Sequence, residues 1–145
     1  MEKIALKTHF KKMLSDQQTP VSIYLRLRDR FANSILLESS DYHGNENSFS
    51  FICCQPIASF EAQGRQVRQQ LPGREEVLQE LDSKKEVLEL LSSFSSAFQV
   101  TENQFKFINN GLFGYMSYDA VEYFEDLELK EEERAIPDIL YKVYQ

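Results

Sequence analysis

Hydrophobic residues recur along this chain with two different spacings. Over residues 4–10 they occupy alternate positions, a period of two that predicts a half-buried opening strand, with a helix as the less favoured alternative. Thr19 and Pro20 then supply a capping hydroxyl and a proline suited to a first helical turn. Apolar residues follow at helical spacing, so a helix is predicted over residues 20–31.

The next part of the chain has the pattern of paired strands. Ser34 to Ser39 contains an unbroken apolar run, which predicts a strand buried on both faces. After a loop over residues 41–47, strands are predicted from Phe49 to Cys54 and from Ile57 to Ala62. Gly64 marks a turn, and Gln66 to Leu71 pairs back as a hairpin, so this region is predicted to be an antiparallel meander.

The pattern changes to a helical period after Pro72 and Gly73. One or two amphipathic helices are predicted over residues 74–98, because apolar residues recur there every three or four positions. The remaining predictions are strands at 105–108, 112–117 and 139–144, one or two helical turns at 119–125, and an acidic, solvated loop within 122–133. These elements predict an α+β fold, an antiparallel β-sheet with helices packed on one face.

Composition narrows the class of protein. The chain has 145 residues, about one domain, and its 42% hydrophobic content is enough for a core. The net charge of -7 disfavours nucleic-acid binding. Cys53 and Cys54 are adjacent, so we expect free, buried thiols in a reducing compartment. His9 and His43 have no partners at ligand spacing, and no apolar run spans a bilayer, so we expect a cytoplasmic protein without a zinc site.

Candidate chemistry is confined to the end of one strand. The sequence has no nucleophile elbow and no phosphate-binding glycine loop, so no catalytic residue is predicted. The segment from Leu36 to Ser39 ends a predicted buried strand with a carboxylate and a hydroxyl, which suit the ammonium group of an amino acid. The alternative is that Glu38 and Ser39 merely lead into the following loop.

Five short segments in this order resemble the amino-terminal region of anthranilate synthase component I. They are Thr19-Pro20-Val21-Ser22, Leu36-Leu37-Glu38-Ser39, Ser50-Phe51-Ile52 with Pro56, Gly114-Tyr115-Met116-Ser117-Tyr118-Asp119, and Pro137-Asp138. The resemblance covers nearly the whole chain. It implies that residues 1–145 are the amino-terminal, regulatory domain, part of a larger layered sandwich, and that the carboxyl-terminal chorismate-binding catalytic domain is absent.

The resemblance also implies the chemistry of the complete enzyme. Such an enzyme converts chorismate and an amino donor to anthranilate and pyruvate, with Mg²⁺ in the carboxyl-terminal domain and no cofactor in this part. A glutamine amidotransferase subunit, component II, is the partner that delivers ammonia. L-tryptophan inhibits by binding between the amino-terminal region and the catalytic domain.

Individual residues match the inhibitor site of that family. Leu36, Leu37, Glu38 and Ser39 match the strand end that contacts L-tryptophan, and Phe49 and Ser50 match the facing strand. Two positions depart from the pattern. Ser48 and Cys53 stand where many relatives have arginine and glycine, so a basic residue near the ligand is missing.

Two alternative functions stay open at this stage. One is the related large component of aminodeoxychorismate synthase in folate synthesis, and the other is a stand-alone, non-enzymatic ligand-binding module. We also expect that an isolated amino-terminal region would expose apolar strand surface, which favours a homodimer.

Overall fold

The computed structural model describes residues 3–38, 49–100, 110–127 and 136–145. Nine strands and two α-helices are assigned within these ranges, together with a 3₁₀ helix. In chain order they are β1 (Ile4–Leu6), α1 (Pro20–Leu27), β2 (Ile35–Glu38), β3 (Ser50–Cys53), β4 (Pro56–Gln63), β5 (Gln66–Gln70), β6 (Val77–Glu80), α2 (Glu86–Ser96), β7 (Phe98–Val100), β8 (Phe113–Met116), the 3₁₀ helix (Tyr118–Tyr123) and β9 (Ile139–Tyr144).

The largest sheet has five antiparallel strands in the order β6-β5-β4-β9-β8. Alternate residues of β4 and their partners in β5 and β9 form one apolar face, and helix α2 covers it. Phe60 of β4 is fully buried, and its ring lies 5.6 Å from that of Phe94 in α2. The buried core of the described chain therefore lies between this face and α2.

Two small sheets complete the strand pairing of the described residues. Strand β1 pairs in parallel with β7, and β2 pairs antiparallel with β3. The β2–β3 pair packs on the five-stranded sheet through Phe51, whose ring lies 5.7 Å from that of Phe113. Phe113 is paired with Lys142, next to the buried Val143, so it lies on the face opposite α2. The five-stranded sheet thus has α2 on one face and part of β2–β3 on the other.

The predicted α+β class is confirmed, and several local signals are confirmed with it. The Thr19 hydroxyl accepts the backbone N–H of Ser22, and the Ser22 hydroxyl accepts the backbone N–H of Thr19, so a capping box begins α1. Pro20 is the first helical residue, although α1 ends at Leu27 and not at residue 31. The hairpin at Gly64, the 3₁₀ turns after residue 117 and the strand at 139–144 also agree with their predictions.

One prediction of secondary structure is wrong. Residues 77–80 form strand β6 and not the start of a helix, so the helix of this region is limited to Glu86–Ser96. Val77 and Leu78 are 54% and 60% exposed. Their helical spacing therefore does not correspond to a buried helix face. Pairing with the free edge of β5 gives the backbone of β6 its hydrogen-bond partners, and this outweighs a weak local preference.

Two further predictions need correction. The opening strand ends at Leu6 and pairs in parallel with β7. The chain between the two strands is long enough to let them run in the same direction. Strand β2 is not buried on both faces: Leu37 is 36% exposed, since a two-stranded sheet offers few atoms to cover it. The predicted loop at 41–47, the strand at 105–108 and residues 128–133 of the acidic run at 122–133 lie outside the described residues.

Candidate functional site

The site predicted from sequence lies at the Glu38–Ser50 end of the β2–β3 pair, where β2 ends and β3 begins. Antiparallel register places Leu36 opposite Ile52, Leu37 opposite Phe51 and Glu38 opposite Ser50. This register brings the two segments that sequence analysis singled out into direct contact, although they are separated along the chain. The Glu38–Ser50 pair is the last of the ladder, so both side chains lie at its end.

Glu38 and Ser50 form the polar centre of this site. The Ser50 hydroxyl donates to Oε1 of Glu38 at 3.4 Å, and both residues are exposed. That distance is long for a hydrogen bond between two oxygens. The carboxylate is therefore only weakly engaged by the hydroxyl, and it retains capacity to accept hydrogen bonds from a cation.

Strand alternation separates the polar and apolar sides of the β2–β3 pair. Phe51 faces the five-stranded sheet, where it contacts Phe113. Glu38 and Ser50 are each one position away from the Leu37–Phe51 pair, so they lie on the opposite face. Glu38 and Ser50 therefore face away from the five-stranded sheet, towards a side where they remain exposed.

Two tyrosines fix the start of β2. The Tyr24 hydroxyl of α1 donates to the carbonyl oxygen of Ser34 at 3.3 Å, and the Tyr144 hydroxyl of β9 donates to that of Asn33 at 2.9 Å. Asn33 has φ 60, a left-handed conformation that asparagine adopts more readily than most residues. Burial, followed by the proximity of Cys53, raises the pKa of Tyr144 to about 12, so its hydroxyl stays protonated at neutral pH.

The predicted site residues differ in how far they are buried. Those that the structure describes adjoin one another at the ends of β2 and β3. They are Leu36, half-buried; Leu37 and Phe49, each 36% exposed; and Glu38 and Ser50, exposed. Ser39 follows Glu38 directly and lies outside the described residues. The strand register brings the described site residues together, and no pattern in the sequence predicts that register.

A groove elsewhere in the structure was missed by sequence reasoning. A groove of about 930 Å³ lies between residues 5–13 and strands β3, β4, β8 and β9, with Phe51 and Phe113 in its wall. It lies on the Phe51 side of the β2–β3 pair, and neither Glu38 nor Ser50 lines it. Its sequence signal is the group of lysines Lys7, Lys11 and Lys12, which lie close together near the start of an otherwise acidic chain.

Metal-ligand clusters and membrane-spanning helices are both absent from the described ranges. Within residues 3–38, 49–100, 110–127 and 136–145, no group of three or more His, Cys, Asp or Glu side chains could hold a metal ion. No helix in those same ranges has both the length and the apolar character needed to cross a bilayer.

The chain is similar in sequence to a known protein. The chain is 28% identical over 149 aligned positions to anthranilate synthase component 1 of Thermus thermophilus. The alignment covers 97% of this chain but only 28% of that protein, so the chain spans less than a third of the length of this curated relative. No protein-family model matches the chain. The alignment supports a relation to this type of enzyme component.

Proposed function

We propose that this chain is the amino-terminal, regulatory region of an enzyme of the anthranilate synthase component I type. The complete enzyme would convert chorismate, with glutamine or ammonia, to anthranilate and pyruvate in tryptophan biosynthesis. The observation that carries the proposal is the register pair Glu38–Ser50, which brings together two segments that resemble the family's inhibitor site. The alignment over 97% of the chain supports it independently.

In this proposal the strand end forms one wall of a site for L-tryptophan. The carboxylate of Glu38 would pair with the ammonium group, and Ser39 would add a hydrogen bond. Leu36 lies on the same face of the strand pair as Glu38 and would contact the indole ring. Leu37 lies on the Phe51 face, and Phe49, next to Ser50, adds exposed apolar surface at the strand end. The second wall would come from the carboxyl-terminal catalytic domain, since ligand sites usually bury most of the ligand.

Feedback inhibition would then follow from the position of this wall. A ligand shifts an equilibrium between two conformations only by its different affinity for them. Tryptophan would bind better when the strand end and the catalytic domain are held in the inactive arrangement. Because the coupling is reciprocal, substrate binding would weaken tryptophan binding by the same factor.

The other participants of the complete enzyme are part of the same proposal. Chorismate and Mg²⁺ would bind in the carboxyl-terminal domain, and the glutamine amidotransferase subunit would deliver ammonia to it. The enzyme would work in the cytoplasm.

The isolated chain would form a homodimer, because several large apolar side chains of its described part are exposed, including Val77 and Leu78 on the edge strand β6. Sedimentation equilibrium that shows only monomer at high concentration would remove the dimer from the proposal.

The decisive experiment measures tryptophan inhibition in the complete enzyme. Glu38→Gln keeps the shape of the side chain but removes its charge, and Ser39→Phe fills the proposed pocket. We expect each to raise the tryptophan concentration for half inhibition by about tenfold or more, since a lost charged partner costs upwards of about 1.4 kcal/mol. Turnover of chorismate without tryptophan should change less than about twofold, because neither residue would touch the substrate.

Glu75→Gln is the matched control. Glu75 is an exposed carboxylate before β6, remote in sequence from the proposed pocket, and its substitution should leave inhibition unchanged. If Glu38→Gln and Ser39→Phe are both inhibited like the unaltered enzyme, the assignment of the site is wrong. Residues 1–145 alone should show no turnover of chorismate with ammonia and Mg²⁺, and a measurable rate would contradict the regulatory assignment.

The product of the complete enzyme separates this proposal from its relative in folate synthesis. Release of anthranilate, followed by its fluorescence, supports the assignment made here. Accumulation of aminodeoxychorismate without anthranilate would replace it with the large component of aminodeoxychorismate synthase. Absence of any chorismate-dependent reaction would favour a stand-alone ligand-binding module.

A further inference from the structure

The groove beside the β2–β3 pair has a wall of aromatic rings. The ring of Phe113 lies 5.7 Å from that of Phe51 and 6.4 Å from that of Tyr144, and the second pair meets edge to face. All three residues line the groove. Its volume of about 930 Å³ is within the range of sites that bind small molecules. Such a wall offers both ring faces and ring edges to another planar ring.

The opposite side of the groove is basic. Lys7, Lys11 and Lys12 line it together with His9, and none of the side chains that line it in the described ranges is acidic. The chain as a whole is different, because it has 23 acidic residues against 16 lysines and arginines. The groove therefore has a local charge opposite to that of the protein, and this charge favours an anion.

The basic segment is attached to the rest of the structure at two points. The parallel pairing of β1 with β7 holds the residues just before it. The side-chain amide of Asn110 then donates to the Thr8 hydroxyl at 2.6 Å. These contacts hold the segment against the strands that carry the aromatic wall, so the lysines and the rings form the two sides of one groove.

The aromatic wall adds no negative charge. Tyr144 stays protonated at neutral pH, because burial raises its pKa to about 12, and its hydroxyl is already bonded to Asn33. Lysine side chains can lay their apolar stems along the groove while their ammonium groups remain at its rim. A ligand with one flat apolar end and one anionic end would satisfy both sides together.

We propose that this groove binds a small aromatic carboxylate. Its ring system would lie against Phe51, Phe113 and Tyr144, and its carboxylate would pair with the ammonium groups of Lys7, Lys11 and Lys12. This site is separate from the Glu38–Ser50 strand end, where a carboxylate of the protein selects a cation. Binding in the groove therefore does not depend on the regulatory function proposed above.

The test compares two probes that share a ring system and differ in charge. We would titrate ¹⁵N-labelled residues 1–145 with 2-naphthoate and with 2-naphthalenemethanol and follow amide shifts by NMR. We expect saturable shifts within residues 7–12 and at Phe51, Phe113 and Tyr144, with naphthoate binding about fivefold more tightly than the alcohol, as expected for partly exposed ion pairs. Added salt should weaken the binding of naphthoate alone.

Substitution of the lysines tests the source of that preference. The triple variant Lys7→Gln, Lys11→Gln and Lys12→Gln alters only exposed side chains, so it should fold, which circular dichroism would verify. It should bind naphthoate no better than the alcohol. Lys3→Gln is the control, since Lys3 is also exposed but does not line the groove, and it should keep the preference.

Several results would overturn this inference. Equal affinity for the two probes in the unaltered protein would show that charge does not select the ligand. Shifts centred on the exposed apolar residues of β6, such as Val77 and Leu78, would place the binding elsewhere. Full naphthoate affinity in the triple lysine variant would exclude the proposed ion pairs. The effect of Glu38→Gln on tryptophan inhibition tests only the Glu38–Ser50 strand end, so neither outcome of that experiment changes this inference.

Discussion

The hydroxyl of Tyr123 donates a 2.7 Å hydrogen bond to Oδ2 of Asp138. The same carboxylate oxygen accepts the backbone N–H of Gly64 at 3.0 Å, and the backbone N–H of Asp138 donates to the carbonyl oxygen of Ala62. One carboxylate therefore joins the 3₁₀ helix, the β4–β5 turn and the start of β9. Since Tyr123 is only 2% exposed, these bonds form largely away from water, where an unpaired polar group is costly.

Removing the Tyr123 hydroxyl should destabilise the fold. Tyr123→Phe keeps the ring but removes one of the two donors to Oδ2 of Asp138 found among the described residues, leaving the Gly64 N–H. We expect a loss of about 1–3 kcal/mol in the free energy of unfolding, measured by urea denaturation with an unchanged m value. Tyr118→Phe is the matched control, because Tyr118 is 80% exposed, and it should have little effect. Equal stability of both variants would mean that the Tyr123–Asp138 bond contributes nothing.

Gly114 allows β8 to approach β9 closely. A Cβ atom at this position would lie 1.9 Å from the backbone carbonyl oxygen of Leu140, which cannot move aside as a side chain can. Gly114→Ala should therefore lower the free energy of unfolding by about 3 kcal/mol or more, or prevent folding, as judged by circular dichroism and thermal melting.

The control for this substitution is a glycine with free space. Gly64 has φ +57, and a Cβ atom added there would meet no other atom within 4 Å, so only its backbone conformation restricts it. Gly64→Asn should cost less than about 1 kcal/mol, because asparagine tolerates the left-handed region. If Gly114→Ala lowers the free energy of unfolding no more than Gly64→Asn does, β8 and β9 do not approach each other as closely as described.

Stability should fall at alkaline pH because of the buried tyrosines. Burial raises the pKa of Tyr144 from 10.0 to about 12, and burial followed by the hydrogen bond to Asp138 raises the pKa of Tyr123 further. A raised pKa means that the unfolded chain releases the proton first. The stabilisation is therefore complete below pH 10 and is lost for Tyr144 as the pH rises from about 10 to about 12.

Urea denaturation at a series of pH values, with tyrosinate absorbance recorded in parallel, measures this loss. Tyr144→Phe should be less stable near neutral pH, since it loses the bond to Asn33, but its stability should fall less steeply above pH 10. The same slope in the variant and the unaltered protein would show that Tyr144 ionises equally in both states.

The two cysteines should differ in reactivity. Cys53 is 8% exposed, and burial, with a smaller effect of Cys54, raises its pKa to about 11, whereas Cys54 is half-buried. Since the thiolate is the reactive form, an aromatic disulfide reagent at neutral pH should modify Cys54 at least about tenfold faster than Cys53. Cys54→Ser should retain only the slow phase, and Cys53→Ser only the fast one. Two equal rates would contradict the burial of Cys53.

Local signals in the sequence were sufficient for the elements that depend on local chemistry. Thr19 and Pro20 predicted where α1 begins, because a cap and a first-turn proline act within a few residues. The same reasoning failed for residues 77–80, whose apolar spacing suits a helix but whose structure depends on a free strand edge nearby. The position of that edge is a property of the assembled sheet, and no short stretch of residues contains it.

For the candidate site, too, the sequence predicted some features and the tertiary structure decided the others. The sequence determined that Glu38 and Ser50 would lie at the ends of two strands, since runs of apolar residues end beside them. Only tertiary structure decided that they are opposite each other, that they face away from the five-stranded sheet, and that lysines near the N terminus line the same groove as an aromatic wall. Register and packing join residues that are distant along the chain, and they depend on the burial of many side chains together.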